Sequence, residues 1–313
     1  MRLPAILPPS MLAGLLLTMI SGLSLADERT VDTAFGKVTI EGQPQRIVTL
    51  YEGALDTALA VGAHAVGAVI TRGGTDVADY IKPRAGDIAI VGTPGETNLE
   101  AVIAARPDLI LAAPRTSREQ FELLSHIAPV VASDIPLFQP DTWKRETRLY
   151  AEALGRAGEA EDIIRRVETR AAEVAAVVEQ AVQDNERDAI LARWMPQGPM
   201  IMSTGIFSAS LLKAAGFDIR GQSLVDEGRP HSQTLSLENL SAMNQNWIFL
   251  ATLNEDGRKA LDAAKASPAF ARLEAVETDQ VIPVDGQLWT SASGPLAALA
   301  ILDEIEDAVR SRP

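Results

Sequence analysis

Short apolar runs alternate with amphipathic segments along the first half of the chain, in the pattern of strands followed by helices. Apolar runs at 47–50, 65–70 and 109–113 have the length and the β-branched content of buried strands. The segments 98–105 and 117–127 place apolar residues at helical spacing behind a capping residue. Short buried strands that alternate with amphipathic helices predict a parallel sheet covered by helices on both faces.

The period changes between residues 141 and 184, where apolar positions recur at helical spacing without a proline. Asp141 or Thr142 can cap the start of this helix, and Gly155 with Gly158 marks a place where it can break. Such a helix reaches across a whole domain, since each residue adds about 1.5 Å. We interpret it as a connector between two lobes. A coiled coil is the alternative, but no heptad repeat is sustained.

The strand–helix alternation returns after residue 185, with apolar runs at 189–194, 247–251 and 281–284. The predicted fold class is therefore α/β, with two three-layer α/β lobes joined by a single long helix. The predicted divisions are an N-terminal lobe at 27–140, a connecting helix at 141–184 and a C-terminal lobe at 185–313.

The first 26 residues have the features of an export signal. Arg2 precedes an apolar run at 11–20, and Ser24 and Ala26 are the small residues of a cleavage site after Ala26. The run is too short to span a bilayer well. We expect a protein exported to the periplasm, and an uncleaved anchor is the alternative.

Composition excludes several classes of function. The chain carries 42 Asp and Glu against 28 Lys and Arg, a net charge of -14, which argues against nucleic acid or an anionic membrane as the main partner. It contains no cysteine, so disulfides, thiolate metal sites and cysteine nucleophiles are excluded. The three histidines, His64, His126 and His231, lack metal-ligand spacing. We therefore expect no protein-bound metal.

An enzyme has little support in the sequence. Ser210 and Lys213 match the Ser-x-x-Lys acylase pattern, but the partner motifs of that class are missing. We expect a protein that is not an enzyme, with an exported serine hydrolase as the less favoured alternative.

Cationic and aromatic side chains follow the predicted strands in both halves of the chain. In open α/β sheets the carboxyl ends of the strands line the ligand crevice, and the planar guanidinium of arginine binds carboxylates through paired hydrogen bonds. We therefore expect an anionic ligand between the lobes. The predicted ligand-binding residues are Tyr51, Arg72, Arg115, Arg193, Trp194, Arg229 and Trp289.

Taken in order, several motifs resemble those of the periplasmic substrate-binding proteins of iron–siderophore and cobalamin ABC importers, and the match covers nearly the whole mature chain. The motifs are Arg46-Ile-Val-Thr-Leu50, Asn98-Leu-Glu100, Pro107-Asp-Leu-Ile-Leu111, the helix from Trp143, Ser267-Pro-Ala-Phe270, Val281-Ile-Pro-Val-Asp285, Trp289 and Gly294-Pro295. The resemblance implies the class III periplasmic binding protein fold, whose lobes close little around the ligand.

Two local patterns echo each other within this resemblance. Asn98-Leu-Glu100 and Ser236-Leu-Glu238 each begin a short helix that leads into a buried strand. The family implies that one glutamate on each lobe, here Glu100 and Glu238, docks into arginine pockets of an inner-membrane ABC permease dimer. Chance similarity between two helix–strand units is the alternative.

The arginines favour a polyanionic cargo within this family. The resemblance is closest to the ferric citrate, or carboxylate siderophore, type. The ligand would carry Fe3+ that is already chelated, so we expect no cofactor. Haem, cobalamin or a catecholate siderophore is the alternative cargo, and Tyr51 would then be the ligand of haem iron. We expect a monomer with no nucleic-acid partner.

Overall fold

The computed structural model describes residues 28–311, and the predicted export signal lies outside them. The strands are β1 (Glu28–Thr33), β2 (Gly36–Glu41), β3 (Ile47–Thr49), β4 (Ala65–Ala68), β5 (Ala89–Ile90), β6 (Gly92–Thr93), β7 (Glu96–Thr97), β8 (Leu109–Ala112), β9 (Val130–Ala132), β10 (Asp188–Met195), β11 (Gly198–Ile201), β12 (Asp218–Ile219), β13 (Trp247–Thr252) and β14 (Val281–Asp285).

Helices separate most of these strands. They are α1 (Glu52–Ala60), α2 (Lys82–Ala85), α3 (Leu99–Ala105), α4 (Arg118–Ser125), α5 (Thr142–Ala153), α6 (Ala157–Ala181), α7 (Phe207–Ala214), α8 (Glu255–Lys265), α9 (Pro268–Ala271), α10 (Glu274–Glu277), α11 (Gly286–Thr290) and α12 (Pro295–Arg310), with 3-10 turns at Asp184–Glu186, Gln222–Leu224 and Leu237–Met243. Within 28–311, no helix is both long and apolar enough to cross a membrane.

The N-terminal lobe is built on a parallel sheet with the strand order β5-β4-β3-β8-β9. Strands β3 and β8 are buried at every position, as expected for a parallel sheet covered on both faces. One face packs against α1, α5 and the β1–β2 hairpin. The other face packs against α3 and α4.

The C-terminal lobe contains a mixed sheet with the strand order β11-β10-β13-β14, and β12 pairs with the start of β10. Strands β10, β13 and β14 are parallel, whereas β11 returns antiparallel to β10. One face packs against α6, α7, α11 and α12. The other packs against α8, α9, α10 and the 3-10 turn at Leu237–Met243.

Two helices cross from one lobe to the other. The long helix α6 is the predicted connector, and it begins later than expected: the predicted segment 141–184 first forms α5, which ends before Gly155, whose φ of 66° favours glycine. Ala160 near the start of α6 packs in the N-terminal core, and the positions from Ile164 onward pack in the C-terminal core. In α12, Leu296 packs with the N-terminal lobe and Ile301 with the C-terminal lobe.

Candidate functional site

The chain leaves the parallel strands of the N-terminal lobe through segments that carry predicted ligand-binding residues. Tyr51 follows β3, Arg72 follows β4 and Arg115 follows β8. In the C-terminal lobe, Arg193 lies near the carboxyl end of β10. The topology therefore places these side chains where the two sheets meet a crevice between the lobes.

Arg193 is the most unusual of these cations. Its side chain is 8% exposed, and it reaches only Thr290 Oγ1, at 3.5 Å from Nη1, and Met200 Sδ, at 3.9 Å from Nη2. Its Nε has no hydrogen-bond partner, and no acidic side chain within 28–311 forms an ion pair with it. Buried charges are normally paired with an opposite charge. Because Arg193 has no such partner among the described residues, its surroundings lack an anion.

Arg72 approaches this guanidinium from the other lobe. Burial lowers the pKa of Arg193, and the positive charge of Arg72 lowers it further. The loop that carries Arg72 also touches the C-terminal lobe: a Cβ on Gly74 would lie 3.1 Å from Gln287 Nε2. Cations of the two lobes therefore face each other across the lobe boundary, where a shared anion would offset their repulsion.

A cavity of about 140 Å³ lies at the same boundary. Tyr51 and Phe138 line it on the N-terminal side, and Thr290 and Ser293 line it on the C-terminal side. The Thr290 hydroxyl donates to Gly286 C=O at 2.6 Å, which leaves its lone pairs for Arg193. Thr290 thus links the cavity wall to the buried guanidinium, which is not itself among the residues that line the cavity.

The remaining two arginines approach through Phe138. The Arg115 guanidinium carbon lies 5.9 Å from the centre of the Phe138 ring, in the range of a cation–π contact. Phe138 also lines a larger groove, of about 1030 Å³, and Arg229 lies along its wall. Arg115 and Arg229 are exposed, as is Arg72, so all three flank the crevice rather than form its floor.

Tyr51 is held in its neutral form. Its hydroxyl lies 3.4 Å from Glu146 Oε2 and donates to it. Burial raises the pKa of Tyr51 well above its usual range, and the charge of Glu146 adds to this shift. A protonated phenol can donate a hydrogen bond to an anionic ligand.

Glu52 is a carboxyl group beside the cations. It accepts a hydrogen bond from Thr71 Oγ1 at 2.7 Å, and its Oε1 has no partner. Burial raises its pKa to about 7, while Thr71 and the charge of Arg72 lower it. Because about half of Glu52 is protonated at neutral pH, it cancels only part of the positive charge near Arg72.

The two tryptophans predicted as walls of the site are both buried, and only Trp289 also lines the cavity. Trp194 is 1% exposed and packs edge-on against Phe270. Successive side chains of a strand point to opposite faces of the sheet. Because Arg193 faces the cleft, Trp194, the next residue of β10, faces the opposite side. Trp289 is also 1% exposed, stacks on Phe249 and donates from Nε1 to Glu304 Oε2 at 2.6 Å. Trp194 does not line the cavity, and we remove it from the site, whereas Trp289 is one of the residues that line the cavity and stays a predicted site residue.

The two glutamates of the repeated pattern both lie in exposed first helical turns. Glu100 is in α3, whose start is capped by the Asn98 side chain through Ala101 N–H. Glu238 is in the 3-10 turn that follows Ser236. Neither forms an ion pair within the described residues, so both carboxylates are available to a partner.

The alternative chemistry has no geometric support. The Ser210 hydroxyl donates to Phe207 C=O at 2.6 Å within its own helix, so Lys213 does not activate it. No group of three His, Asp or Glu within 28–311 is arranged to hold a metal ion.

Several site residues escaped the sequence analysis. Thr290, Ser293 and Phe138 line the cavity without standing directly after a predicted strand. The polar run Thr290–Ser293 ahead of Gly294-Pro295 was a usable signal, because polar residues between a strand and a buried helix often face a cavity. Glu146 gave no signal beyond its place in a helix.

Comparisons with known proteins agree with this architecture. The family model described as "Periplasmic binding protein" matches residues 47–288. YfiY, a probable siderophore-binding lipoprotein of Bacillus subtilis (strain 168), is 28% identical over 296 residues, which cover 91% of this chain and 89% of YfiY. FecB, the Fe(3+) dicitrate-binding periplasmic protein of Escherichia coli (strain K12), is 27% identical over 298 residues, with coverage of 91% and 90%.

A solved structure is also similar over most of the chain. Staphylococcus aureus SirA complexed with staphyloferrin B superposes with a TM-score of 0.78 and 29% identity, and the match covers 90% of this chain and 98% of SirA. The two-lobe fold is that of class III periplasmic binding proteins. Since the family model spans more than half of the sequence and the relatives align over nearly their full length, this chain belongs to the periplasmic binding protein family and is a binding protein rather than an enzyme.

Proposed function

We propose that this protein is the extracytoplasmic substrate-binding component of an ABC importer for ferric siderophores, with a carboxylate chelate such as ferric citrate as its cargo. The observation that carries the proposal is Arg193, a buried guanidinium without an acidic partner that faces Arg72 of the other lobe. A polyanionic ligand supplies the missing negative charge. FecB, whose name states that it binds Fe(3+) dicitrate, supports this class of cargo.

Each side chain has a separate role in the proposed complex. Arg193 and Arg72 bind ligand carboxylates from opposite lobes through charge-assisted hydrogen bonds. The neutral Tyr51 phenol donates a further hydrogen bond by turning its single proton from Glu146 to the ligand. Arg115 and Arg229, being exposed, attract the anion and contact its outer parts. Iron enters inside the chelate and needs no ligand from the protein.

A titration with matched ligands tests this cargo. Ferric citrate should bind, whereas iron-free citrate and a neutral ferric hydroxamate should bind far more weakly, because only the ferric citrate complex combines the expected charge and shape. Arg72→Gln should weaken ferric citrate binding. Arg84→Gln, at an exposed arginine of the same lobe, serves as the control and should leave binding unchanged. Binding of the hydroxamate or a catecholate chelate but not of ferric citrate would refute the carboxylate assignment.

We further propose that Glu100 and Glu238 orient the loaded protein on its permease dimer. Their exposure on separate lobes fits two basic pockets on a two-fold symmetric partner, since complementary charges fix the orientation of an encounter complex. The partner does not contact the ligand crevice through these residues, so ligand affinity and transport can be separated.

Uptake of radioactive iron in the source organism tests the docking role. The double variant Glu100→Arg, Glu238→Arg should lose uptake and keep its affinity for ferric citrate. The control, Glu119→Arg with Glu277→Arg, reverses two other exposed glutamates, one on each lobe. Normal uptake by the first double variant, or equal loss in both, would contradict the proposed docking surface.

A further inference from the structure

The start of α12 is capped by a side chain from the other lobe. Asp56 lies in α1 of the N-terminal lobe and is completely buried. Its Oδ1 accepts the Leu296 N–H at 2.9 Å, and its Oδ2 accepts the Ala297 N–H at 2.8 Å. The partners are 240 and 241 residues apart in sequence. We call this contact, formed by Asp56, Leu296 and Ala297, the interlobe cap.

The sequence at the start of α12 fits an external cap. The first N–H groups of a helix need acceptors, but Gly294 has no side chain that could accept them, and Pro295 has no N–H. Gly294 adopts a φ of 120°, and a Cβ there would lie 2.5 Å from the Asp56 carboxyl carbon. Glycine at this position therefore permits the close approach of the Asp56 carboxylate and is required for it.

The interlobe cap joins the two walls of the ligand crevice. On the N-terminal side, α1 begins directly after Tyr51, and Asp56 is just over one turn into the same helix. On the C-terminal side, Thr290 and Ser293 line the cavity immediately before α12. Thr290 in turn contacts Arg193. A change in the position of α12 relative to α1 would therefore move Thr290, which contacts Arg193, away from Tyr51.

We propose that Asp56 is a positioning residue for ligand binding: by capping α12 from the opposite lobe, it holds the segment Thr290–Ser293, and with it the surroundings of Arg193, against the wall that carries Tyr51 and Arg72. The role in ligand binding rests on the proposed function, whereas the mechanical role in fixing the lobes stands without it. The helix α6 also joins the lobes, and the Tyr51 hydroxyl also interacts with Ser293 across the cavity, but the interlobe cap fixes the backbone of α12 through two hydrogen bonds to one buried carboxylate.

The strength of the interlobe cap depends on the ionisation of Asp56. Burial raises the pKa of Asp56 to about 7, and the charge of Glu52 on the same helix raises it further, while the two N–H groups and the Tyr80 hydroxyl lower it. Among the described residues, Glu52 and Tyr80 are the titratable groups that shift this pKa. The first turn of α12, which also faces Asp56, carries no charged side chain. The two N–H bonds lower the pKa of Asp56, so a folded state that has lost them while the carboxyl stays buried binds the proton more tightly. The cap therefore weakens as pH falls through this range, although burial of the protonated carboxyl stabilises the folded chain relative to the unfolded one.

Distance measurements between the lobes test the mechanical role. The chain has no cysteine, so spin labels can be placed at Glu122→Cys in the N-terminal lobe and Asp262→Cys in the C-terminal lobe, both of which are exposed. The wild-type background should give a narrow distribution of label–label distances. Asp56→Ala should broaden it, and Gly294→Ala, which perturbs the same contact from the other lobe, should do the same.

A matched control separates positioning from general destabilisation. Asp108 also accepts two backbone N–H groups, from Gln45 at 2.7 Å and Arg46 at 2.9 Å, but both partners are in its own lobe. Asp108→Asn should lower Tm and leave the distance distribution narrow. Ferric citrate affinity should fall about tenfold in Asp56→Ala, a usual size for coupling between distant groups, and remain unchanged in Asp108→Asn.

The pH dependence of the label–label distance distribution is a second readout, which a merely structural role of Asp56 would not change. Between about pH 8 and about pH 6, the wild-type distance distribution should broaden as Asp56 takes up a proton, whereas that of the isosteric Asp56→Asn should not change. An unchanged, narrow distribution in both Asp56→Ala and Gly294→Ala would overturn the proposal. Broadening in these variants without any binding of ferric citrate by the wild type would support the interlobe cap and refute the cargo.

Discussion

Replacing Arg193 by methionine should stabilise the ligand-free protein and weaken ligand binding. The guanidinium is buried, and its two contacts, at 3.5 Å and 3.9 Å, are at the outer limit of hydrogen bonding. Methionine has a similar length and is apolar, so Arg193→Met removes an unpaired buried charge while filling most of the same space. The stability and the affinity should therefore change in opposite directions.

The size of both effects follows from the environment of Arg193. Burying an ion without its countercharge costs several kcal/mol even after local relaxation, of which weak contacts recover a part. We expect a gain of about 1–3 kcal/mol in the free energy of unfolding, or roughly 2–4 °C in Tm for each kcal/mol. Loss of hydrogen bonds to a charged ligand costs about 1.5–3 kcal/mol, which corresponds to binding about 10- to 150-fold weaker.

Thermal unfolding without ligand and calorimetric titration with ferric citrate measure the two quantities. The control is Arg187→Met, at an arginine that pairs with Asp184 and donates to Val182 C=O. This control should lose stability and keep its affinity, because its guanidinium already has partners. If Arg193→Met instead destabilised the ligand-free protein and left affinity unchanged, Arg193 would be a structural residue and the argument for an anionic cargo would fail.

Three further predictions concern buried groups. The free energy of unfolding should fall as pH rises from about 4.5 to about 7, because burial raises the pKa of Glu52, Asp56 and Glu146 to about 7. Each group then contributes on the order of 3 kcal/mol of stability, which is present at low pH and lost above this range. Urea unfolding at a series of pH values measures this, and a free energy of unfolding that rises with pH would contradict it. Trp194→Phe should cost about 1–3 kcal/mol of stability with ferric citrate affinity unchanged in the titration, and a large loss of affinity would return Trp194 to the site. Tyr51→Phe should weaken ferric citrate binding about fivefold without altering the visible absorption of the bound iron, whereas loss of a charge-transfer band would indicate phenolate ligation.

Much of the fold follows from local patterns. The buried strands Ile47–Thr49 and Leu109–Ala112 were predictable because short apolar runs between capped helices have few other uses. The crevice was predictable because the carboxyl ends of parallel strands meet at one edge. The same rule predicts that Arg72 and Arg193, although far apart in sequence, lie near each other at the lobe boundary, and the charge of Arg72 does act on Arg193.

Orientation within buried elements was not predictable. Six successive residues of β10, Ala189 to Trp194, are buried, so no alternation of polar and apolar residues shows which face of the strand meets the ligand. Trp289 lies in the short helix α11, which follows the last strand directly and buries most of the side chain, although the residue still lines the cavity. The interlobe cap depends on Asp56 and Leu296, and no local pattern indicates a contact across so much intervening sequence.

The distribution of buried charge separates the binding region from the rest of the protein. Among the described residues, the charged side chains that are buried are Asp56, Glu146 and Arg193, and each lies at or beside the lobe boundary. Apolar residues of similar volume would stabilise a core at least as well. Asp56 instead bonds the opposite lobe, Glu146 accepts the hydroxyl of Tyr51, and Arg193 has no anion of its own. Because a fold departs from the rules of core packing mainly where function requires it, the position of these three residues supports the proposal that the ligand binds at the lobe boundary.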